Sequence, residues 1–221
     1  MLPIPARLTG RLALLAALTI SGGAAQAHPH VWIDAAVSIA VTDKAKAQSV
    51  AVTWMFDEMY STVAVFGLDT NGDGVTSPAE LEPLVGESMV SLQEWNYFLD
   101  VRQDGTRLST GKAMDTSASF EDGRLVYRYT VPLAAPADLS VAPLVVRTFD
   151  PSFYIDISFP ETASVALGAA PAACAARITE PPPMQETMLG EAALLDNDFS
   201  PGSEGIGAQY AQKVTVTCAQ P

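Results

Sequence analysis

The chain has 221 residues, 48% of them hydrophobic and 17% charged, a balance that permits a buried core and argues against a disordered polypeptide. Twelve Lys and Arg against 25 Asp and Glu give a net charge of −13, which repels nucleic acid and anionic lipid and attracts cations. No basic cluster reverses that balance, so nucleic-acid binding is set aside.

Residues 1–27 read as a secretory signal peptide. Arg7 and Arg11 form a positive start, Leu12 to Ile20 is a nine-residue apolar run, and Ser21-Gly22-Gly23 breaks it. Ala25-Gln26-Ala27 then has the small-x-small pattern of a cleavage site. A membrane-spanning helix needs roughly 20 apolar residues, more than twice this run. Export to the periplasm is therefore expected, with residues 28–221 forming a single β-rich domain. Removing Arg7 and Arg11, the leader's only charges, takes the net charge to −15.

Cleavage after Ala27 makes His28 the first residue of His28-Pro29-His30-Val31-Trp32-Ile33-Asp34. These are the only two histidines in the protein. On a strand, His28, His30, Trp32 and Asp34 point to one face. A free α-amine beside His28 would bring the nitrogen donors that suit zinc, copper or nickel. Pro29 has no amide N–H, which excludes copper binding through deprotonated amides at the first peptide bonds. Two terminal histidines alone hold a metal weakly, and Asp34, Asp57 and Glu58 are the candidate further ligands.

Val31–Thr42 and Ser49–Phe56 alternate with period two, so Val50, Val52, Trp54 and Phe56 share a face. Further strands are predicted at Tyr97–Gln103, Thr116–Phe120, Arg124–Pro132, Leu139–Phe149, Phe153–Phe159, Ala175–Thr179 and Lys213–Cys218. Glu121-Asp122-Gly123 has hairpin-turn chemistry. Many short strands with turns between them predict a mainly β, sandwich-like fold, α+β overall. Helices are predicted at Asp57–Gly67 and Pro78–Asn96. The second carries Leu81, Leu84, Val85, Met89, Leu92 and Trp95 at helical spacing, a stripe read as core packing. A helix–loop–helix is thus expected as an insertion at about residues 57–96. Glu180 to Gly205 reads as a loop around a short helix at Met184–Leu195.

Between the two helices stands Asp69-Thr70-Asn71-Gly72-Asp73-Gly74-Val75-Thr76-Ser77-Pro78-Ala79-Glu80, which fits the EF-hand calcium pattern. Calcium is a hard cation that takes six to eight oxygens. Asp69, Asn71 and Asp73 supply side-chain oxygens, the Val75 carbonyl a fourth, Ser77 a fifth directly or through water, and Glu80 binds through both carboxylate oxygens. Gly74 permits the sharp turn. Turn and helix-start chemistry explain part of the same segment: Ser77 caps, Pro78 opens the helix and Glu80 completes a capping box. Only one loop is present, and calcium near millimolar levels outside the cytoplasm would fill a site of modest affinity. A structural calcium is expected rather than a switch.

Cys174 and Cys218 complete the chain. An even count in an exported protein points to one disulfide, and closing that 45-residue loop would contribute about 4 kcal/mol on the chain-entropy model. A thiol metal site is the alternative, but no CxxC spacing and no neighbouring histidine support it.

In combination these motifs resemble the domain-of-unknown-function family 1007. The residues that carry the likeness are His28-Pro29-His30-Val31-Trp32-Ile33-Asp34, then Trp54-Met55-Phe56-Asp57-Glu58-Met59-Tyr60-Ser61, and Gly67-Leu68-Asp69-Thr70-Asn71-Gly72-Asp73-Gly74. Ser91-Leu92-Gln93-Glu94-Trp95-Asn96-Tyr97-Phe98, Phe149-Asp150-Pro151-Ser152-Phe153-Tyr154 and the two late cysteines extend it over nearly the whole mature chain. The resemblance implies a periplasmic component of a transport system accompanying a nickel/cobalt-type inner-membrane metal permease, with a link to zinc uptake in some members. It implies no catalytic mechanism. With two histidines, one transition metal at most is expected, which argues against bulk storage.

Three functions compete at this stage. The first is a metal-binding accessory of a zinc, nickel or cobalt transport system, with His28 and His30 as transition-metal ligands and a structural calcium. The second is a calcium-stabilised cell-envelope interaction module without a transition metal. The third, an enzyme, has little support: there is no Gly-x-Ser-x-Gly elbow and no His-Glu-x-x-His helix, and the only general-base histidines sit at the terminus.

Overall fold

The computed structural model describes residues 29–163, 165–182 and 200–219. The expected leader, His28 and the expected helix at Met184–Leu195 lie outside them. The protein is mainly β, with two five-stranded sheets and few helices. The first sheet has the order β5-β6-β2-β1-β8, built from β1 (Val31–Val41), β2 (Lys46–Phe56), β5 (Met114–Glu121), β6 (Arg124–Asp138) and β8 (Ile155–Ser158). The second runs β4-β3-β7-β10-β9, from β3 (Leu99–Gln103), β4 (Thr106–Arg107), β7 (Leu144–Thr148), β9 (Cys174–Thr179) and β10 (Lys213–Cys218).

The predicted alternation explains the core. Along β1 the odd-numbered residues Val31 to Val41 are buried, and along β2 Val50, Val52, Trp54 and Phe56 are. Side chains from both sheets meet in one apolar cluster, where Val101 and Val146 of the second sheet join Ile39, Val50 and Trp54 of the first. Fully burying each Val, Ile or Leu of this set contributes about 1.5–3 kcal/mol. Trp54 anchors the aromatic part of the cluster, edge-on to Tyr129 at 5.3 Å and 6.1 Å from Phe98 between ring centres.

Helix α1 (Glu58–Ala64) and helix α2 (Pro78–Gln93) follow β2. The first is shorter than the predicted Asp57–Gly67, because the chain turns at Phe66 and Gly67 takes a left-handed φ of 78°. Leu81, Val85 and Met89 are buried as the stripe predicts, with Leu84 and Leu92 packed against the cluster. The stripe ends before Trp95, since Asn96, Tyr97 and Phe98 turn left-handed with φ of 51°, 57° and 52°. Such a turn costs about 1–2 kcal/mol per residue. Side chains brace it: Thr110 donates to Asn96 Oδ1 at 2.5 Å, and the Tyr129 hydroxyl to the Tyr97 carbonyl at 3.2 Å.

Several strand limits differ from the sequence reading. β6 continues past Pro132, which lacks a ladder donor, because a bulge there moves the register from Ser49↔Pro132 to Ala47↔Ala137. The bulged segment bonds elsewhere, with Gly111 N–H donating to Pro132 O and Ala134 N–H to Ser109 O. The predicted strand Leu139–Phe149 is confined to β7. The two-residue β4 and the four-residue helix α3 (Gly207–Tyr210) were not predicted at all. The expected turn at Asp122-Gly123 joins β5 to β6, with φ of 50° and 80°. Cys174 and Cys218 are bonded in a disulfide between facing positions of β9 and β10.

Candidate functional site

Loop 69–80 is exposed and wraps around its first carboxylate. Asp69 Oδ1 accepts from the amides of Gly72 (2.8 Å) and Asp73 (3.2 Å), and Oδ2 from Gly74 (2.9 Å). Asn71 Oδ1 accepts from the Asp73 amide, and Asp73 Oδ1 from the Val75 amide. Gly72 and Gly74 take left-handed φ of 73° and 84°, which only glycine adopts without strain. Glu80 closes the loop from its far end. Its Oε1 accepts from Thr70 N and Oγ1 and from Asn71 N, and its Oε2 from the amide and hydroxyl of Ser77. The Ser77 amide and hydroxyl, then Thr70, lower the Glu80 carboxyl to about 2, so it is ionised at neutral pH.

The donor chemistry suits a hard cation: carboxylates, an amide oxygen, a hydroxyl and a backbone carbonyl, all of oxygen. The carboxylates nevertheless face amides and hydroxyls, and among the described residues no three His, Cys, Asp or Glu side chains converge as a metal cage. A carboxylate offers about four lone-pair positions. Asp69 and Asp73 therefore keep acceptor capacity, whereas Glu80 must release hydroxyl contacts to grip an ion through both oxygens.

The second predicted site lies at the edge of the first sheet. His30 precedes β1; its N–H donates to Tyr154 O at 2.8 Å, and its ring lies 4.7 Å from that of Tyr154. Trp32 and Asp34 face outward with it, Trp32 at 46% exposure. The parallel pairing of β1 with β8 sets Asp156 beside Trp32. Burial raises the Asp156 carboxyl above its usual range, and it makes no ion pair among the described residues.

Of the candidate further ligands, Asp57 is bonded to the backbone of β1 at Trp32. It caps α1 by accepting from Tyr60 N at 2.9 Å and also accepts from Trp32 N at 3.1 Å. Asp34 is held by Arg124 Nη1 at 2.6 Å. Glu58 makes no bond to this face among the described residues. Tyr154 entered the sequence reading only within the segment that carries the resemblance, and Asp156 escaped it, although the alternation of Phe153–Phe159 places Asp156 opposite the buried Ile157.

A third cluster also went unpredicted. Asp100, with its side chain 3% exposed, accepts from three guanidiniums. Arg147 donates to Oδ2 at 3.0 and 2.7 Å, Arg102 Nε to Oδ2 at 2.9 Å, and Arg107 Nε to Oδ1 at 2.6 Å. Glu204 accepts from Arg102 and lies 3.3 Å from Arg147. The guanidiniums outweigh the cost of burial and hold the Asp100 carboxyl below its usual value. With every charge paired, this cluster ties the 200–207 segment to the second sheet and offers no open coordination position.

Comparison with known proteins places these features in a family. The family model described as a protein of unknown function (DUF1007) matches residues 12–218. The chain belongs to that family. It is 24% identical over 205 residues to an uncharacterized protein of Haemophilus influenzae, covering 93% of this chain and 97% of that one. Over 99 residues it is 32% identical to an uncharacterized 15.5 kDa protein of Spirochaeta aurantia, covering 45% of this chain and 70% of that protein. Every signature segment quoted above lies inside the matched range. Among the described residues, no helix is long and apolar enough to cross a membrane.

Proposed function

We propose that the protein is a periplasmic metal-binding accessory of a divalent transition-metal transport system, with calcium in loop 69–80 and zinc, nickel or cobalt at the N-terminal histidines. The observation that carries the proposal is the place of His30, on an outward face with Tyr154, Trp32 and Asp156 and one residue from the start of β1. In this reading the transition metal takes His28 and His30, with a carboxylate such as Asp156 within the same face. An inner-membrane permease receives the ion by ligand exchange. Calcium would hold the two helices of a sandwich-like fold in place.

A calorimetric titration of zinc, then nickel, into calcium-loaded protein that begins at His28 tests this. One-to-one binding that is lost on His28→Ala and on His30→Ala is expected. Unchanged stoichiometry in either variant would remove the histidines from the site.

A second reading, a calcium-stabilised interaction module, draws on a specific observation. Met59, Val63, Phe66, Val75 and Val90 are all exposed, by 63% or more, on the two helices and the loop between them. That much apolar surface on one insertion suits a partner protein. Calcium-dependent melting with no zinc or nickel binding would favour it.

A further inference from the structure

Loop 69–80 carries a covalent chemistry of its own, apart from any ion. The chain has three asparagines, and only Asn71 precedes a glycine. An asparagine side chain is open to attack by the amide nitrogen of the next residue, which closes a five-membered imide ring. A side chain on that next residue crowds the nitrogen, and glycine has none. At Gly72 the φ is 73°, and no atom lies within 4 Å of where a Cβ would stand. Asn71 and Gly72 are both exposed, so water reaches the ring once it forms. Asn96, by contrast, precedes the buried Tyr97 and donates its Nδ2–H to Leu99 O at 2.5 Å.

Hydrogen bonds restrain the reacting groups only weakly. Gly72 N–H donates to Asp69 Oδ1 at 2.8 Å, and Asn71 Nδ2 to Asp73 Oδ2 at 3.0 Å. The Asp73 amide donates to Asn71 Oδ1 at 2.9 Å, which polarises the carbon under attack. Ring closure requires only the bond on the attacking nitrogen to open. In water one such bond disfavours the open form by about tenfold at most. The exposed loop therefore opens many times before the slow step of imide closure. A bound calcium would change that balance. It would take Asn71 Oδ1 together with Asp69 and Asp73 and hold all three on one ion.

We propose that Asn71 is a site of spontaneous deamidation and isoaspartate formation in the ion-free loop, and that calcium protects it. Gly72 N bonds to Asn71 Cγ, and Nδ2 leaves as ammonia with the proton that Gly72 gives up. Water then adds across one C–N bond of the imide, with no oxidant or reductant. Opening at Cγ gives aspartate, which adds a carboxylate at a loop position that takes either Asp or Asn. Opening at the main-chain carbonyl gives isoaspartate, whose backbone runs through Cβ and Cγ and so spoils the ligand spacing. The protection rests on the calcium reading of loop 69–80; the conversion does not.

The test keeps the whole chain in a chelator at mildly alkaline pH, then separates and weighs its proteolytic peptides. The peptide that carries Asn71 should gain one dalton and split into aspartyl and isoaspartyl forms. Its rate should lie within about tenfold of that in guanidinium-unfolded protein. Gly72→Ala should slow the conversion severalfold, and Asn71→Gln should remove the product. Calcium at about 100 times its Kd leaves about one loop in a hundred ion-free, so conversion should slow by up to about a hundredfold. An intact Asn71 when the unfolded chain has fully converted, or equal rates in Gly72→Ala and wild type, would overturn the modification site. Undiminished conversion in protein that calorimetry shows to be calcium-loaded would overturn the protection. No calcium binding by calorimetry would remove the calcium reading and the protection with it, while conversion in chelator still decides the site.

Discussion

Asp100 and loop 69–80 solve the same problem, how to hold carboxylates in a fixed place, in opposite ways. Asp100 sits near the start of β3, buried, and is held by three arginines, two of which also reach Glu204. The carboxylates of loop 69–80 sit in water and are held by amides and hydroxyls, which carry no full charge. The first arrangement leaves nothing for a cation to do. The second leaves net negative charge at Asp69, Asp73 and Glu80, which an ion can neutralise. Burial and the identity of the partner, rather than the number of acidic residues, separate a structural cluster from a candidate metal site.

The largest expected effect breaks the buried side of that contrast. Asp100→Asn should destabilise by about 3–5 kcal/mol, because it strands buried guanidiniums without their counter-charge. Urea unfolding measures it, and a loss below about 1 kcal/mol would mean that the cluster is solvated in solution. On the exposed side, Glu80→Gln should lower the calcium-free stability, because the ionised carboxylate accepts five loop hydrogen bonds, and should also remove any calcium-induced rise in melting temperature. For the wild type, calcium at about 100 times its Kd should add about 2.7 kcal/mol.

A third perturbation acts on the segment that Glu204 helps to anchor. A Cβ at Gly207 would fall 1.8 Å from Asp150 O, so Gly207→Ala should cost about 1–3 kcal/mol and loosen that segment. Limited proteolysis alongside unfolding would detect it, and a neutral outcome would show that the backbone can part without penalty.

The smallest effect is on pH. The Lys46 ammonium, then Ser140, lower the Asp138 carboxyl to about 2. A carboxyl whose folded pKa is depressed stabilises the fold above its unfolded value near 4, and that contribution is lost as pH falls towards 2. Unfolding midpoints should therefore drop between those pH values, slightly less steeply in Asp138→Asn. An identical slope in the variant would assign the whole drop to Asp100 and other carboxyls.

The parts of the fold legible in the sequence are those whose signal is local. Val50, Val52, Trp54 and Phe56 alternate within one strand, and Leu81, Val85 and Met89 repeat within one helix, so short windows suffice. Loop 69–80 was legible as a pattern for the same reason. What stayed hidden depends on distant pairing. Nothing near His30 announces that β8 will lie parallel to β1 and bring Tyr154 and Asp156 to it. Asp100 reads as an ordinary polar interruption of a strand until Arg147, on the neighbouring strand β7, is set beside it. Pro132 looked like a strand end because the bulge that tolerates it is made by other segments, Ala47–Ser49 and Ser109–Gly111.

The most direct test of the contrast is a calorimetric titration of calcium into metal-free protein, repeated with Asp69→Ala. One-to-one binding with a Kd on the order of 10⁻⁴–10⁻³ M or tighter, abolished in the variant, is expected if loop 69–80 takes calcium as proposed. No heat of binding at millimolar calcium, or binding that survives Asp69→Ala, would contradict it and leave loop 69–80 as a turn that only starts a helix.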